Sequence, residues 1–302
     1  MARLYNRGMA DELVSALLGA EDLRVVLALT GELSRHARSL ARLRPGSAAL
    51  LSQGLTAGLL LAALQKERTR LNLQLECDGA LRGLFVDAGN SGEVRGYVKN
   101  PRVEMVGEEG EFRWRPVLGN RGFLSVLRDQ GGGEHYRSSV ELARFDLAAD
   151  LEAYFAGSEQ LRTEVLLGAV EEGGEPLAAV GGLFLQPLPG GSAEALASHG
   201  ARLKARGAFD SALRVGTRAG AAAAVKALFP GADLEVMARY PVSFRCTCSR
   251  ERVKGALLAM GREELEDLLA KEGQAEVTCQ FCSTRYQVGG EEIRKLLEPG
   301  RS

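Results

Sequence analysis

Four of the five cysteines in this 302-residue chain stand in two short pairs. RCTCS holds Cys246 and Cys248, TCQFC holds Cys279 and Cys282, and thirty residues separate the pairs. Four thiolates are a closed donor set for a structural zinc ion, which takes soft ligands in a tetrahedron. The C-x-x-C pair suits the bend of a hairpin. The C-x-C pair is tighter, because alternate side chains on a straight strand point to opposite faces. Both of its sulfurs reach one ion only if the backbone turns at Thr247. A second chemistry is open to the same residues. Within each pair the sulfurs are close enough to bond to each other, and an oxidant that joined them would remove all four thiolate donors. A C-x-C disulfide closes a small, strained and easily reduced ring. Taken alone, the cysteines leave two readings open, a structural knuckle that presents a surface and a redox switch.

The elements that must position these sulfurs form a small unit. VSFRCTCS reads as a strand entering a turn, and Ser249 as the cap of a helix in which Val253, Ala256, Leu257 and Met260 share a face. Gly261 stops it. REELEDLLAKEG gives a second short helix, with Leu265, Leu268 and Leu269 on its apolar side. EVTCQFCSTRYQV reads as a hairpin with Cys279 and Cys282 at its bend, and EEIRKLLEPG as a closing helix. A unit this small has a thin core and needs a staple.

Upstream, the first 65 residues read as mostly helical. Leu23, Val26, Leu27 and Thr30 share one face of a 3.6 period, as do Leu33, Ala37 and Leu40. Pro45 to Gln65 carries no charge, but Ser47, Ser52, Gln53 and Thr56 interrupt its apolar run, so a buried helix is expected rather than a membrane span. From Arg70 the period becomes two. LNLQLEC, LRGLFVDA, EVRGYV, RVEMV, EFRWRPV, GFLSVLRD and EHYRSSVEL read as short strands. The turns between them (DG, GNSG, GEEG, QGGG) imply antiparallel hairpins. DLAADLEAYFAGSEQ returns to helical period, and TEVLLGAVEE with LAAVGGLFLQPLP makes a further hairpin. Ser192 caps AEALASHGARLKARG, and RAGAAAAVKALF, rich in alanine, ends at Pro230-Gly231. Alanine favours helix but buries little area, so the fold of this segment depends on what it docks against.

Composition bounds the function. Apolar residues make up 45% and charged residues 25%, and the net charge of −1 supplies no field toward nucleic acid or anionic lipid. The opening MARLYNRGMADELVSALLG lacks the apolar core of a signal peptide. The cytosol is therefore expected, where clustered cysteines are metal ligands or redox groups. There is no Gly-Lys dipeptide, no G-x-S-x-G and no H-E-x-x-H, and His36, His135 and His199 lie far apart in sequence. No enzyme is expected. Cys77, at the end of an alternating strand, reads as a buried inert thiol. Three classes remain: a redox-gated binding protein, a constitutive zinc knuckle for nucleic acid or a protein partner, and an enzyme without a simple motif.

RCTCSRERV, the thirty-residue spacer and TCQFCSTRYQV resemble the redox-regulated 33-kDa heat-shock chaperone family of bacteria. RGYV at 95–98, YFAGSEQ at 154–160 and AAVGGLFLQPLPG at 178–190 extend the resemblance across nearly the whole chain. Cys77 and Ala80 depart from the expected glycine and proline.

The resemblance implies an α+β fold in three parts: an antiparallel β-rich core with packed helices over 1–190, a redox-sensitive helical linker over 191–240 and a small four-cysteine zinc switch over 241–302. It implies a cytoplasmic holdase that uses no ATP. One Zn2+ per chain on Cys246, Cys248, Cys279 and Cys282 keeps the reduced form inactive. Oxidation forms Cys246–Cys248 and Cys279–Cys282 disulfides, releases zinc, unfolds the switch, destabilises the linker and yields a homodimer that holds unfolding client proteins. Neither nucleic acid nor membrane is an implied partner.

Overall fold

The computed structural model describes residues 11–65, 69–104, 114–129, 135–205 and 207–298. The chain divides into two compact units, Met1–Arg245 and Cys246–Ser302. The first runs β1 (Glu12–Leu18), β2 (Leu23–Leu29), α1 (Gly31–Ala41), α2 (Pro45–Ala63), β3 (Arg70–Cys77), β4 (Gly83–Gly89), β5 (Glu93–Val98), α3 (Arg115–Leu118), β6 (Gly122–Asp129) and β7 (His135–Glu141). It continues with α4 (Leu147–Tyr154), a π-turn over Phe155–Glu159, β8 (Glu164–Glu172), β9 (Glu175–Pro187), α5 (Ala193–Lys204), α6 (Ala208–Ala219), α7 (Ala221–Leu228), β10 (Leu234–Pro241) and β11 (Ser243–Phe244). A five-stranded sheet has the order β10-β1-β2-β9-β8 and is antiparallel throughout. A six-stranded sheet has the order β11-β5-β4-β3-β6-β7, antiparallel except where β11 joins β5 in parallel. The fold is α+β with antiparallel sheets.

The uncharged helix α2 lies between the sheets. Gly54 and Gly58 bring it against Leu84 and Val86 of the six-stranded sheet, while Thr56 and Leu60 abut Gly182 of the five-stranded one. It is long and apolar enough to cross a membrane, yet 94% of that stretch is buried inside the fold. A helix apolar all round belongs in a core. Its hydroxyls are satisfied within that core: Ser52 and Thr56 donate to carbonyls one turn back, and Thr56 also pairs with Thr30 at 2.7 Å.

The expectation of a helical start is corrected here. Residues 12–18 and 23–29 are strands, and helix begins only at Gly31. For residues 23–29 the cause is burial on both faces. One face of the five-stranded sheet meets α2 through Val26, Ala28, Val180 and Phe184. The other carries Val14, Leu23, Val25, Leu27, Leu183 and Leu185 under α5, α6 and α7. A strand covered on both sides is a continuous apolar run without a period of two. RVEMV and EFRWRPV are also corrected where described: Val103 and Glu104 are outside any strand, and Arg115–Leu118 is a helical turn with Pro116 in its first positions. Residues 105–113, with the GEEG turn, and 130–134, with the QGGG turn, lie outside the described residues.

The alanine-rich segment docks on the outer face of the five-stranded sheet. Leu213 of α6 is fully buried and sits over Gly168 and Gly181, directly paired across β8 and β9. A Cβ at Gly168 would lie 2.7 Å from Leu213 Cδ1, so the seat exists because two side chains are missing. Lys204 of α5 bonds Glu152 at 2.6 Å and Glu164 at 2.5 Å, and His199 meets Glu21 at 2.6 Å. Beyond α7 the chain forms β10, a strand absent from the sequence reading, which pairs with β1.

Substitution Gly168→Val is expected to lift α6 from the sheet. Limited proteolysis of the reduced protein should then cut within 193–228 faster than in the parent, with the β-sheet circular dichroism retained. Leu213→Ala should lower stability by about 2–5 kcal/mol, as for other buried leucines, read by denaturant unfolding.

Candidate metal centre

The second unit contains α8 (Arg250–Ala259), α9 (Arg262–Glu272), β12 (Gln274–Thr278), β13 (Arg285–Gly289) and α10 (Gly290–Leu297). Local signals place each of them. The Ser249 hydroxyl accepts from Arg252 N–H and caps α8. Gly261 and Gly273 take positive φ on either side of α9, where residues with a Cβ are strained. β12 and β13 form an antiparallel hairpin. Their joint core is thin: Val253, Leu257, Leu265, Ala275, Val288 and Ile293 are buried, with Tyr286 and several leucines packed against them. Ala256 and Met260, read as part of the inner face of α8, are exposed. At the surface Glu292 of α10 pairs with Arg250 and Lys254 of α8. Its hydrogen bonds to these two cations pull its carboxyl down to about 2.

The four paired cysteines converge. Cys246 and Cys248 lie in the irregular segment between β11 and α8, so neither is held on a straight strand. Cys279 and Cys282 occupy the bend after β12, where Cys279 N–H donates to Thr284 O, Ser283 N–H donates to Cys279 O, and Ser283 has φ 57°. Cys246 Sγ lies 3.7 Å from Cys279 Sγ, and Cys248 Sγ lies 3.4 Å from Cys282 Sγ. All four sulfurs fall within 4.8 Å of one another. Sulfurs at zinc–thiolate distance around one tetrahedral ion are about 3.8 Å apart, so this donor set fits a metal ion that takes soft ligands. Among the described residues this is the one group of histidine, cysteine or acidic side chains close enough to share an ion.

The polar surroundings divide the sulfurs. Burial raises the Cys248 thiol, the Tyr286 hydroxyl that donates to it at 3.0 Å lowers it, and the neighbouring sulfurs push it up to about 12. At Cys282 burial also raises the thiol, but the Thr284 hydroxyl and N–H and the sulfurs of Cys248 and Cys246 outweigh it, to about 7. Burial raises Cys279 against donation from the N–H groups of Cys282 and Phe281. Tyr286 itself is pushed up to about 12, chiefly by its bond to Cys248. Sequence reasoning missed Tyr286 and Thr284. Thr284 precedes β13 and Tyr286 lies within it, but nothing in the residue types announces a contact with sulfur.

The remaining candidates of the sequence are dispersed within the first unit. Cys77 ends β3, its thiol raised by burial. His36 packs edge-on against Phe244, and His135 lies 3.8 Å from Asp129.

Comparison with known proteins matches residues 11–289 to the family described as Hsp33 protein. The 33 kDa chaperonin of Gloeobacter violaceus is 38% identical over 301 residues, covering 97% of each chain. That of Thermus thermophilus is 37% identical, covering 94% of this chain and 86% of the relative. The crystal structure of the 33 kDa chaperonin from Thermotoga maritima superposes with a TM-score of 0.83 at 27% identity, covering 96% of this chain and 98% of that one.

Removing one donor tests the site. Cys279→Ser should bind metal more weakly and lower the thermal transition of residues 246–298 without any oxidant. Full metal content with an unchanged transition would remove Cys279 from the ligand set.

Proposed function

Since the chain belongs to the Hsp33 family of chaperones, we propose that it is a redox-regulated holdase, needing no ATP, whose resting form is the reduced one with Cys246, Cys248, Cys279 and Cys282 as ligands of one Zn2+. The observation that carries this reading is four sulfurs within 4.8 Å of one another in a unit among whose described residues six apolar side chains are buried. A zinc ion on such a set supplies apparent binding free energy of about 10–16 kcal/mol, which in a unit this small is folding free energy.

Each pair then acts as a two-electron donor. Cys246 with Cys248, and Cys279 with Cys282, give two electrons per pair to an oxidant and gain one S–S bond each. The four thiolates are lost as donors, and the six-residue core is left to hold the unit alone. It is too small to do so. Chain continuity carries the effect onward, because only residues 242–245 separate β10 from Cys246.

Helices α5–α7 are the weak layer of the first unit. They are rich in alanine, seated over glycines and tied by ion pairs that are partly exposed. Their release would bare Val14, Leu23, Val25, Leu27, Leu183 and Leu185, the apolar sheet face they cover. A continuous apolar surface of this kind binds unfolded segments of many sequences. The bared face also gives two oxidised chains a surface on which to pair, so the active form is read as a homodimer. Partners are unfolding client proteins rather than nucleic acid or membrane. The working compartment is the cytoplasm, where reducing conditions keep the thiolates until stress arrives.

The test treats reduced, zinc-loaded protein with hypochlorite. Zinc release, Cys246–Cys248 and Cys279–Cys282 linkages in peptide mass spectra, and suppression of client aggregation should appear together. Zinc loss without any gain in holding activity would leave the cluster a structural knuckle.

A further inference from the structure

The Tyr286 hydroxyl donates to Cys248 Sγ at 3.0 Å, while the tyrosine ring packs against the small core of the second unit. Anchored at the ring, the hydroxyl is aimed rather than wandering. Its bond goes to one sulfur of the C-x-C pair. The other sulfur, that of Cys246, lies 3.7 Å from Cys279 Sγ. The two members of the pair therefore face an oxidant with different lone-pair availability.

We infer that Tyr286 is a brake on oxidation of the Cys246–Cys248 pair, setting how much hydroperoxide is needed to open the site. The inference rests on the reading of the four sulfurs as a metal site that oxidation opens. One thiolate of the pair attacks a hydroperoxide oxygen, the O–O bond breaks, hydroxide (or alkoxide) leaves, and a sulfenic acid forms. The second thiolate attacks that sulfur, the S–O bond breaks, a further hydroxide leaves, and the S–S bond forms. Two electrons pass from the pair to the peroxide. Whichever residue reacts first, Cys248 must donate a lone pair in one of the two steps. The O–H···S bond draws electron density from the sulfur and occupies one direction of approach, so Cys248 reacts more slowly while the bond holds. Groups that hydrogen-bond to metal ligands tune those ligands from outside the coordination shell. Tyr286 is a positioning and tuning residue in this sense.

The experiment uses full-length, reduced, zinc-loaded protein and trace iodoacetamide, with the rate at each cysteine read by peptide mass spectrometry. In Tyr286→Phe, which keeps the ring, Cys248 should be alkylated about ten-fold faster, the scale typical of such outer partners. Cys246, Cys279 and Cys282 should change little, and loss of the Cys246 and Cys248 thiols to hydrogen peroxide should accelerate. An unchanged Cys248 rate overturns the inference. Equal acceleration at all four cysteines overturns it too, because it marks a loosened unit. If Tyr286→Phe lowers the thermal transition, 3-fluorotyrosine at 286 supplies a second arm: a stronger donor should slow Cys248, and no slowing overturns the brake. Alkylation reads the hydrogen bond directly. Failure of the parent protein to release zinc or to hold clients is a separate result that counts against the proposed function.

Discussion

Metal–thiolate bonding of the kind four converging cysteines offer is strong because it draws charged, soft donors to one point, and a fold that relies on it can stay small. In the proposed function the second unit has that economy. Its helices α8 and α9 are capped by Ser249, Gly261 and Gly273, and its hairpin is regular, but the six apolar side chains buried among the described residues make a meagre core. Each local signal specifies a shape without supplying much cohesion. The sulfurs also lie in irregular backbone, before α8 and at the bend after β12. Hairpin and helix hold their places only if the two loops are held together. In the proposed function, a unit arranged this way depends on the chemical state of its sulfurs to a degree that no large hydrophobic core would.

The first unit is built on the opposite principle. Helix α2 fills the space between two sheets, and the five-stranded sheet is apolar on both faces. Its inner face belongs to the core that α2 completes. The outer face is closed by a layer of different character, short helices whose closest approach is permitted by Gly168 and Gly181 and whose margins are held by Lys204 and His199. Removing such a cover exposes a surface that is already ordered. In the proposed function this ordered apolar face is the client platform, and the folded cover is its first occupant.

Much of this was legible from residue types. The cysteine spacing pointed to one cluster, and the structure brings Cys246, Cys248, Cys279 and Cys282 within reach of one ion. The pairings of β3 with β4, β4 with β5, β6 with β7 and β8 with β9 followed from alternation, and Ser192 and Ser249 cap helices as their positions suggested. What failed did so for physical reasons. β2 was hidden because burial on both faces erases the alternation that identifies a strand. β10 was hidden because it lies at a sheet edge with most of its side chains exposed, so LEVMARYP carries little pattern beyond its pairing with a strand more than two hundred residues away. The Tyr286 contact with Cys248 depends on a hairpin register and a side-chain direction, neither of which is written in a single sequence.

The pairing of β1 with β10 also orders the birth of the molecule. As the chain leaves the ribosome, β1 emerges first but lacks one neighbour until residue 241 has been made. Sheet residues through 187 appear before the helices at 193–228 that cover them. Domains fold as units, so until residue 241 has been made each nascent copy carries the residues of this apolar sheet face without all of the segments that complete and cover it. The order of synthesis thus runs opposite to the uncovering proposed for the stressed cell: the cover is made after most of the sheet it closes.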